Sequence, residues 1–290
     1  MNAFFFGLGF SSTWASIKMR SSGQYADIGG TVRSAEKAML LRAEGLNAHV
    51  FDGAAPGPTL GPVLRRASHV ILSIAPGPDG DPALLHHRAD LDAATDLQWL
   101  CYYSTVGVYG DFGGAWIDES APLVPRNERS DRRVLAEQTW REYARERGVK
   151  LTILRLAGIY GPDRSTFDKL RDGTARRVIK PGQVFNRIHV ADIGRVTALA
   201  AEARLQGTFN LGDDEPAPPQ EVIAHAAAML GMDPPPDLPF ETAPMTPMQR
   251  SFYADNKRVS NAAIKRALGI ELLYPTYREG LASIFDKEQA

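Results

Sequence analysis

Residues 102–137 read YYSTVGVYGDFGGAWIDESAPLVPRNERSDRRVLAE, and their reading decides the fold. The apolar run Trp99, Leu100, Cys101, Tyr102, Tyr103 leading into this stretch has strand character. It ends on two hydroxyls, Ser104 and Thr105, ahead of a turn through Tyr109 and Gly110. An apolar strand that exits into hydroxyls and glycine is what an open α/β sheet offers at its carboxyl edge, where ligands bind. Strand-like and helix-like segments alternate outward from here in both directions, so the predicted fold class is α/β, a Rossmann-type doubly wound parallel sheet.

Toward the N-terminus, AFFFGLGFSS (residues 3–12) reads as a strand and a turn, with Gly7, Gly9 and Ser12 in a GxGxxG-like frame whose third glycine is serine. Glycines there permit a tight turn and let the amides of the next helix approach a pyrophosphate, which makes Gly7, Gly9, Phe10, Ser11 and Ser12 candidate cofactor residues. The competing reading is an ordinary strand-to-helix turn. Residues 13–22 lack an apolar stripe, and a helix is assigned there because a parallel crossover requires one. The second strand, 28–32, ends at Arg33, where such folds choose between a carboxylate for a ribose 2′-hydroxyl and an arginine for a 2′-phosphate. Arg33, with Lys37 a turn later, predicts NADP over NAD. Asp27 lies at the wrong end of the strand, and a solvated Arg33 is the alternative.

Residues 38–45 predict a helix closed by Gly45, 48–51 a third strand followed by Asp52, and 68–74 a fourth, buried strand. Its exit makes Ser73, Ile74 and Ala75 candidate cofactor neighbours. A helix over 82–95 then leads to the central strand.

The chain has 290 residues, 44% of them hydrophobic, enough for a large core and a smaller appendage. A net charge of -1 excludes a general nucleic-acid or anionic-membrane binder. The single Cys101 excludes an internal disulfide, and it predicts core filler in a cytoplasmic protein. Phe4 to Phe6 have no basic stretch before them and predict a buried strand rather than a leader; no run approaches the ~20 apolar residues of a membrane span. The six histidines are scattered without metal-ligand spacing, so no metal is expected.

From residue 102 to the C-terminus the chain resembles the extended short-chain dehydrogenase/reductase family of epimerases and dehydratases. STVGVYG (104–110), ILRLAGIYGP (153–162), NRIHVADIGRV (186–196) and the ending NKRVSNAAIKRALGIELLYPTYREGL (256–281) carry the resemblance. It implies Thr105 as the hydroxyl that polarises a substrate oxygen, Asp52 near the adenine, Gly158 and Ile159 near the nicotinamide, and a homodimer built on the two helices flanking the central strand. Where dehydratases have an acidic pair, this chain has Val106 and Gly107.

The family's YxxxK helix is where the chain departs. Aligned on Glu137, Arg129 stands at the tyrosine position and Arg133 at the lysine position. Arginine keeps the charge and can hold a ribose, yet with a pKa above ~12 it cannot shuttle a proton. Tyr109, Asp111, Glu119 and Tyr160 are the substitute donors, with Tyr109 named beside Thr105 as catalytic. A literal YxxxK at Tyr253–Lys257 is read as coincidence. Arg126, Arg129, Arg132 and Arg133 predict either a solvated face or an anion site, and Arg171, Arg176, Arg177 and Lys180 extend that expectation to an anionic small-molecule substrate. The expected domains are 1–162 completed by 188–213, and a smaller one from 163–187 and 214–290. The functional expectation is an NAD(P)-binding oxidoreductase acting on a small carbonyl or sugar-derived substrate, with a cofactor sensor without turnover and a nucleotide-sugar epimerase as alternatives.

Overall fold

A computed structural model describes residues 1–289. The first half runs β1 (Asn2–Phe6), α1 (Phe10–Ser21), β2 (Asp27–Val32), α2 (Ala35–Ala43), β3 (Asn47–Val50), α3 (Gly61–Leu64), β4 (His69–Leu72), α4 (Pro82–Asp92), β5 (Trp99–Thr105), β6 (Trp116–Ile117) and α5 (Glu128–Arg147). The second half runs β7 (Lys150–Leu156), β8 (Gly158–Tyr160), α6 (Thr166–Arg171), β9 (Arg177–Ile179), β10 (Arg187–His189), α7 (Val190–Ala203), β11 (Gly207–Leu211), α8 (Pro219–Met229), β12 (Asp237–Pro239), α9 (Pro247–Phe252), β13 (Arg258–Val259), α10 (Ala262–Leu268) and α11 (Tyr277–Gln289).

Seven strands form one sheet in the order β11-β7-β5-β4-β1-β2-β3. The pairs β1–β2, β1–β4, β2–β3 and β4–β5 are parallel. This is the Rossmann-type doubly wound sheet, and the order reverses between β1 and β4, the point where such sheets bind ligands. Phe4, Phe5 and Phe6 are buried on both faces of the sheet, which explains an unbroken apolar run instead of an alternating one.

Two compact units partition the chain. The first comprises residues 1–108, 125–155 and 193–209, and the second residues 109–124, 156–192 and 210 onward. Residues 109–124 and 156–162 therefore lie in the second unit, although the sequence reading grouped them with the dinucleotide domain. The core of the first unit joins Phe4, Phe6, Val70, Leu72, Leu100 and Tyr102 to Trp140 and Tyr143 of α5. Helix α1 buries Ser11, Ser12, Ala15, Ser16 and Met19, a mostly small-residue face that brings the helix close to its neighbours. A Cβ on Gly194 of α7 would stand 3.0 Å from the Trp14 carbonyl carbon of α1. The second unit packs Tyr160, Phe167 and Leu170 against α8 and α11, and it contains the parallel ribbon of β8 with β10.

Candidate functional site

The turn after β1 is fastened from two sides. Thr31 of β2 accepts the Gly7 amide on Oγ1 at 2.8 Å and the Leu8 amide on its carbonyl at 2.7 Å. After β4, the amides of Ser73 and Ile74 both donate to the Phe6 carbonyl, at 2.9 and 3.2 Å. Gly7 has φ +98, a conformation that L side chains rarely adopt, and a Cβ there would lie 3.0 Å from Ile74 Cγ2. Glycine is thus required by both backbone and space, and the structure brings Gly7, Ser73 and Ile74 together.

Gly9 caps α1 without a side chain, so the first turn has no side-chain acceptor for its amides, and nothing lies within 4 Å of where a Gly9 Cβ would sit. Ser12 Oγ is fully buried with no hydrogen-bond partner. Uncapped amides at the positive end of a helix, open space above Gly9 and an orphaned hydroxyl form a cradle suited to a pyrophosphate. Arg33 is exposed just past β2, and Ala75 is exposed past β4. Asp52 is exposed and accepts the Ala54 amide at 2.9 Å in a local turn.

Thr105 closes β5 half-buried, and its Oγ1 accepts the Gly107 amide at 3.1 Å. Beneath it a buried network fixes the strand exit: Glu137 of α5 accepts Ser104 Oγ at 2.6 Å, Arg155 Nε at 3.0 Å and Arg155 Nη2 at 2.7 Å. One turn earlier on α5, Arg133 Nη1 donates to the Tyr103 carbonyl at 2.7 Å and to Tyr102 Oη at 3.1 Å. Burial pushes the Tyr102 phenol up to about 12 against the pull of Arg133. One guanidinium nitrogen is therefore committed to β5.

The arginines around the start of α5 do not converge on one point. Asn127 caps the helix by accepting the Ser130 amide at 3.0 Å, Arg132 pairs with Glu128, Arg133 turns to β5, and Arg129 at the tyrosine position is exposed. The cations of 163–187 are also occupied. Arg171 pairs with Glu288, Arg176 donates to the Gly173 and Ala175 carbonyls, Arg177 pairs with Asp237 at 2.7 Å, and Lys180 donates to the Tyr253 carbonyl. They stitch the second unit together, and the predicted anion site does not assemble from them.

Each substitute proton donor named from the sequence already has a structural task. Tyr109 is fully buried and donates its hydroxyl proton to Asn210 Oδ1 at 2.7 Å. This corrects its place among the catalytic residues, because an enclosed phenol whose proton is already given to an amide cannot serve a substrate. Glu119 accepts the Asn210 amide at 2.7 Å, and Asp111 accepts the Asn256 amide at 2.8 Å. Tyr160 is buried, its hydroxyl 3.5 Å from the Thr276 carbonyl, and burial raises it far above an ordinary phenol. Gly158 and Ile159 begin β8, paired with Arg187 and Ile188 of β10.

Asp192 accepts the amides of Leu273 and Tyr274 at 2.7 and 3.0 Å, and His189 packs on Tyr274 at 4.2 Å, so this pair fixes a turn. Tyr253 packs between Phe185 and Phe240, while Lys257 donates to the Gly110 carbonyl at 2.6 Å, so the literal YxxxK is structural. Cys101 is buried and its thiol is raised by burial, as expected of core filler. Among the described residues no His/Cys/Asp/Glu cluster could hold a metal, and no helix is long and apolar enough to cross a membrane.

Residues 89–212 match the NAD dependent epimerase/dehydratase family. Over its whole length the chain is 40% identical to a functionally unknown conserved protein from Silicibacter pomeroyi DSS, covering 99% of it with a TM-score of 0.88. Residues 89–212 thus carry the NAD dependent epimerase/dehydratase match. The fold is shared with UDP-glucuronic acid 4-epimerase from Bacillus cereus in complex with UDP-glucuronic acid and NAD, at 18% identity, full coverage of both chains and a TM-score of 0.77. A 3-diazoavenalumate denitrifying reductase of a Streptomyces species is 31% identical over 139 residues, which span 44% of this chain and 45% of that protein. The match thus spans less than half the length of that reductase.

Sequence reasoning missed Asp213, a buried carboxyl in the second unit, and its neighbour Arg187. The sequence offered only the acidic pair Asp213–Asp214 directly after a buried strand, which does not distinguish a buried acid from a solvated one.

Proposed function

We propose that the protein is an NADP-dependent reductase of the epimerase/dehydratase family acting on a small carbonyl or sugar-derived substrate, with the usual tyrosine acid and lysine replaced. The observation that carries it is the fastened turn Gly7–Ser12, which pairs uncapped helix amides with a guanidinium, Arg33, one strand later. A dinucleotide bound there supplies the hydride. Gly7, Gly9, Phe10, Ser11 and Ser12 would hold the pyrophosphate, Arg33 the 2′-phosphate, Asp52 the adenine side, and Ser73, Ile74 and Ala75 the neighbouring ribose. Thr105 would polarise the reacting oxygen, its orientation set by the Glu137 network below it. Arg133 would reach the nicotinamide ribose only through the nitrogens that β5 leaves uncommitted.

Reduction also accords with the named activity of the Streptomyces relative. Epimerisation needs a proton shuttle in both directions, which the arginine at position 129 cannot supply. A second reading, a cofactor sensor without turnover, is favoured by the engagement of Tyr109, Asp111, Glu119 and Tyr160 in structural bonds. A homodimer through α4 and α5 is supported by Leu85 and Leu135, which are 52% and 61% exposed on these helices, and light scattering of the purified protein tests it.

Fluorescence titration with NADPH and NADH tests the cofactor reading. NADPH should bind at least about tenfold more tightly, and equal affinities would remove Arg33 from its role. Oxidation of NADPH by a panel of aldehydes and ketones then separates reductase from sensor.

A further inference from the structure

We propose that Ser130 is a second hydroxyl of the reacting site, binding the substrate carbonyl oxygen together with Thr105 in the space beside Gly107. The inference rests on the reductase reading above and names a partner for Thr105 which that reading lacks.

The three residues meet in one small volume of the first unit. A Cβ on Gly107 would stand 3.1 Å from Ser130 Oγ, 3.4 Å from Thr105 Oγ1 and 3.5 Å from Thr105 Cγ2. An atom beside Gly107 therefore touches two hydroxyls that come from different elements, the end of β5 and the first turn of α5. Gly107 is not among the glycines with positive φ, so its backbone would accept a side chain. What its hydrogen preserves is room between the two oxygens.

Ser130 is held there by its helix. The Asn127 cap accepts its amide at 3.0 Å, and the residue is 6% exposed. Arg129, at the position where the resemblance places a tyrosine, is exposed, and the next residue along the helix is the one that turns inward. Among the described residues no hydrogen bond engages Ser130 Oγ. Thr105 Oγ1 accepts the Gly107 amide at 3.1 Å and keeps its own proton uncommitted. Both hydroxyls thus have a proton to offer a common acceptor, and neither has to ionise to do so.

Strand register brings this pair to the dinucleotide turn. Tyr102 of β5 pairs with Leu72 of β4, and Leu72 with Phe6 of β1. Gly7, Ser73 and Tyr103 each follow one of these residues, and Thr105 leaves the sheet two residues further on. Two strand spacings, roughly 10 Å, separate β1 from β5 along the same carboxyl edge. In the step proposed, the carbonyl carbon takes the hydride from the reduced dinucleotide and the C=O π pair moves onto oxygen. The two O–H donors carry that developing charge until the oxygen takes a proton from water.

The test uses the full chain with NADPH and two carbonyl probes, 4-nitrobenzaldehyde and phenylglyoxal. Ser130→Ala should lower kcat by about 100-fold, while NADPH affinity, read by fluorescence, stays within about twofold of wild type. Ser130→Thr keeps the hydroxyl and should recover most of the rate. Gly107→Ala places a methyl group between the hydroxyls and should lower kcat/KM by at least about tenfold. Apart from turnover, calorimetry of 4-nitrobenzyl alcohol binding to the NADP complex should show affinity weakened about tenfold in both Ser130→Ala and Gly107→Ala.

A folded Ser130→Ala with the kcat and alcohol affinity of wild type overturns the proposal and leaves the reductase reading intact. Gly107→Ala that binds the alcohol as tightly as wild type overturns it even if Ser130→Ala fails to fold. Wild type that binds NADPH but oxidises it with neither probe removes the reductase reading, and this assignment with it.

Discussion

Two buried carboxylates, one in each unit, each have an arginine beside them, and they are treated in opposite ways. Glu137 of the first unit is 1% exposed and takes hydrogen bonds from Ser104 Oγ and from two nitrogens of Arg155. Asp213 of the second unit is as deeply buried, yet its arginine donates to backbone carbonyls instead. A guanidinium in the neighbourhood does not by itself make an ion pair; the direction of its N–H groups decides. The first arrangement is a fully hydrogen-bonded carboxylate that locks a strand exit, and the second is a carboxyl whose acidity burial weakens.

The largest effect expected from this contrast follows removal of the satisfied acid. Glu137→Ala leaves Arg155 charged and buried without its partner, and should cost about 3–5 kcal/mol of unfolding free energy in chemical denaturation. A loss below about 1 kcal/mol would mean that Arg155 finds solvent, and the contrast would fail.

Next comes the pH dependence of the unsatisfied acid. The folded-state value of Asp213, about 8, lies above the ~3.9 of an unfolded aspartate. The folded form therefore holds the extra proton, so this contribution to stability is complete below about pH 4 and is lost as pH rises through 8. Asp213→Asn should flatten that decline and, at pH 9, unfold later than wild type by a few kcal/mol. Melting curves from pH 5 to 9 check this, and a variant destabilised equally across the range would show that Asp213 is charged in the fold.

A smaller effect is expected at Arg33 of the first unit. Arg33→Ala should weaken NADPH by roughly tenfold, or ~1.4 kcal/mol, and leave NADH unchanged in the same titration. The smallest concerns Tyr109, whose proton goes to Asn210. Tyr109→Phe should cost about 1 kcal/mol in denaturation and leave kcat within about twofold.

Much of the fold could be read from the chain because its signals are local. FFFGLG announces a buried strand and a tight turn, the apolar run into Ser104 and Thr105 announces β5, and Gly45 marks a helix end. Helix α1 was legible only through topology, since its inward face of serines and alanine has no apolar stripe to detect. At the site, the cradle of Gly7, Ser73 and Ile74 followed from strand exits. The fate of the arginines did not, because whether Arg133 reaches a ligand or a carbonyl of β5 depends on a 30-residue separation that no spacing encodes. Asp213 was hidden for the same reason. GDDEP looks like a polar loop until the β8–β10 ribbon covers one of its acids.

The near-contact of Gly280 with the Tyr160 oxygen has a consequence for how this region can vary. There is no room for even a methyl group, so alanine at 280 would have to lift the C-terminal helix or evict the phenol ring. Either movement would loosen the seat of Tyr160 against that helix. One hydrogen atom in place of a methyl thus lets the C-terminal helix lie flush on the phenol of β8.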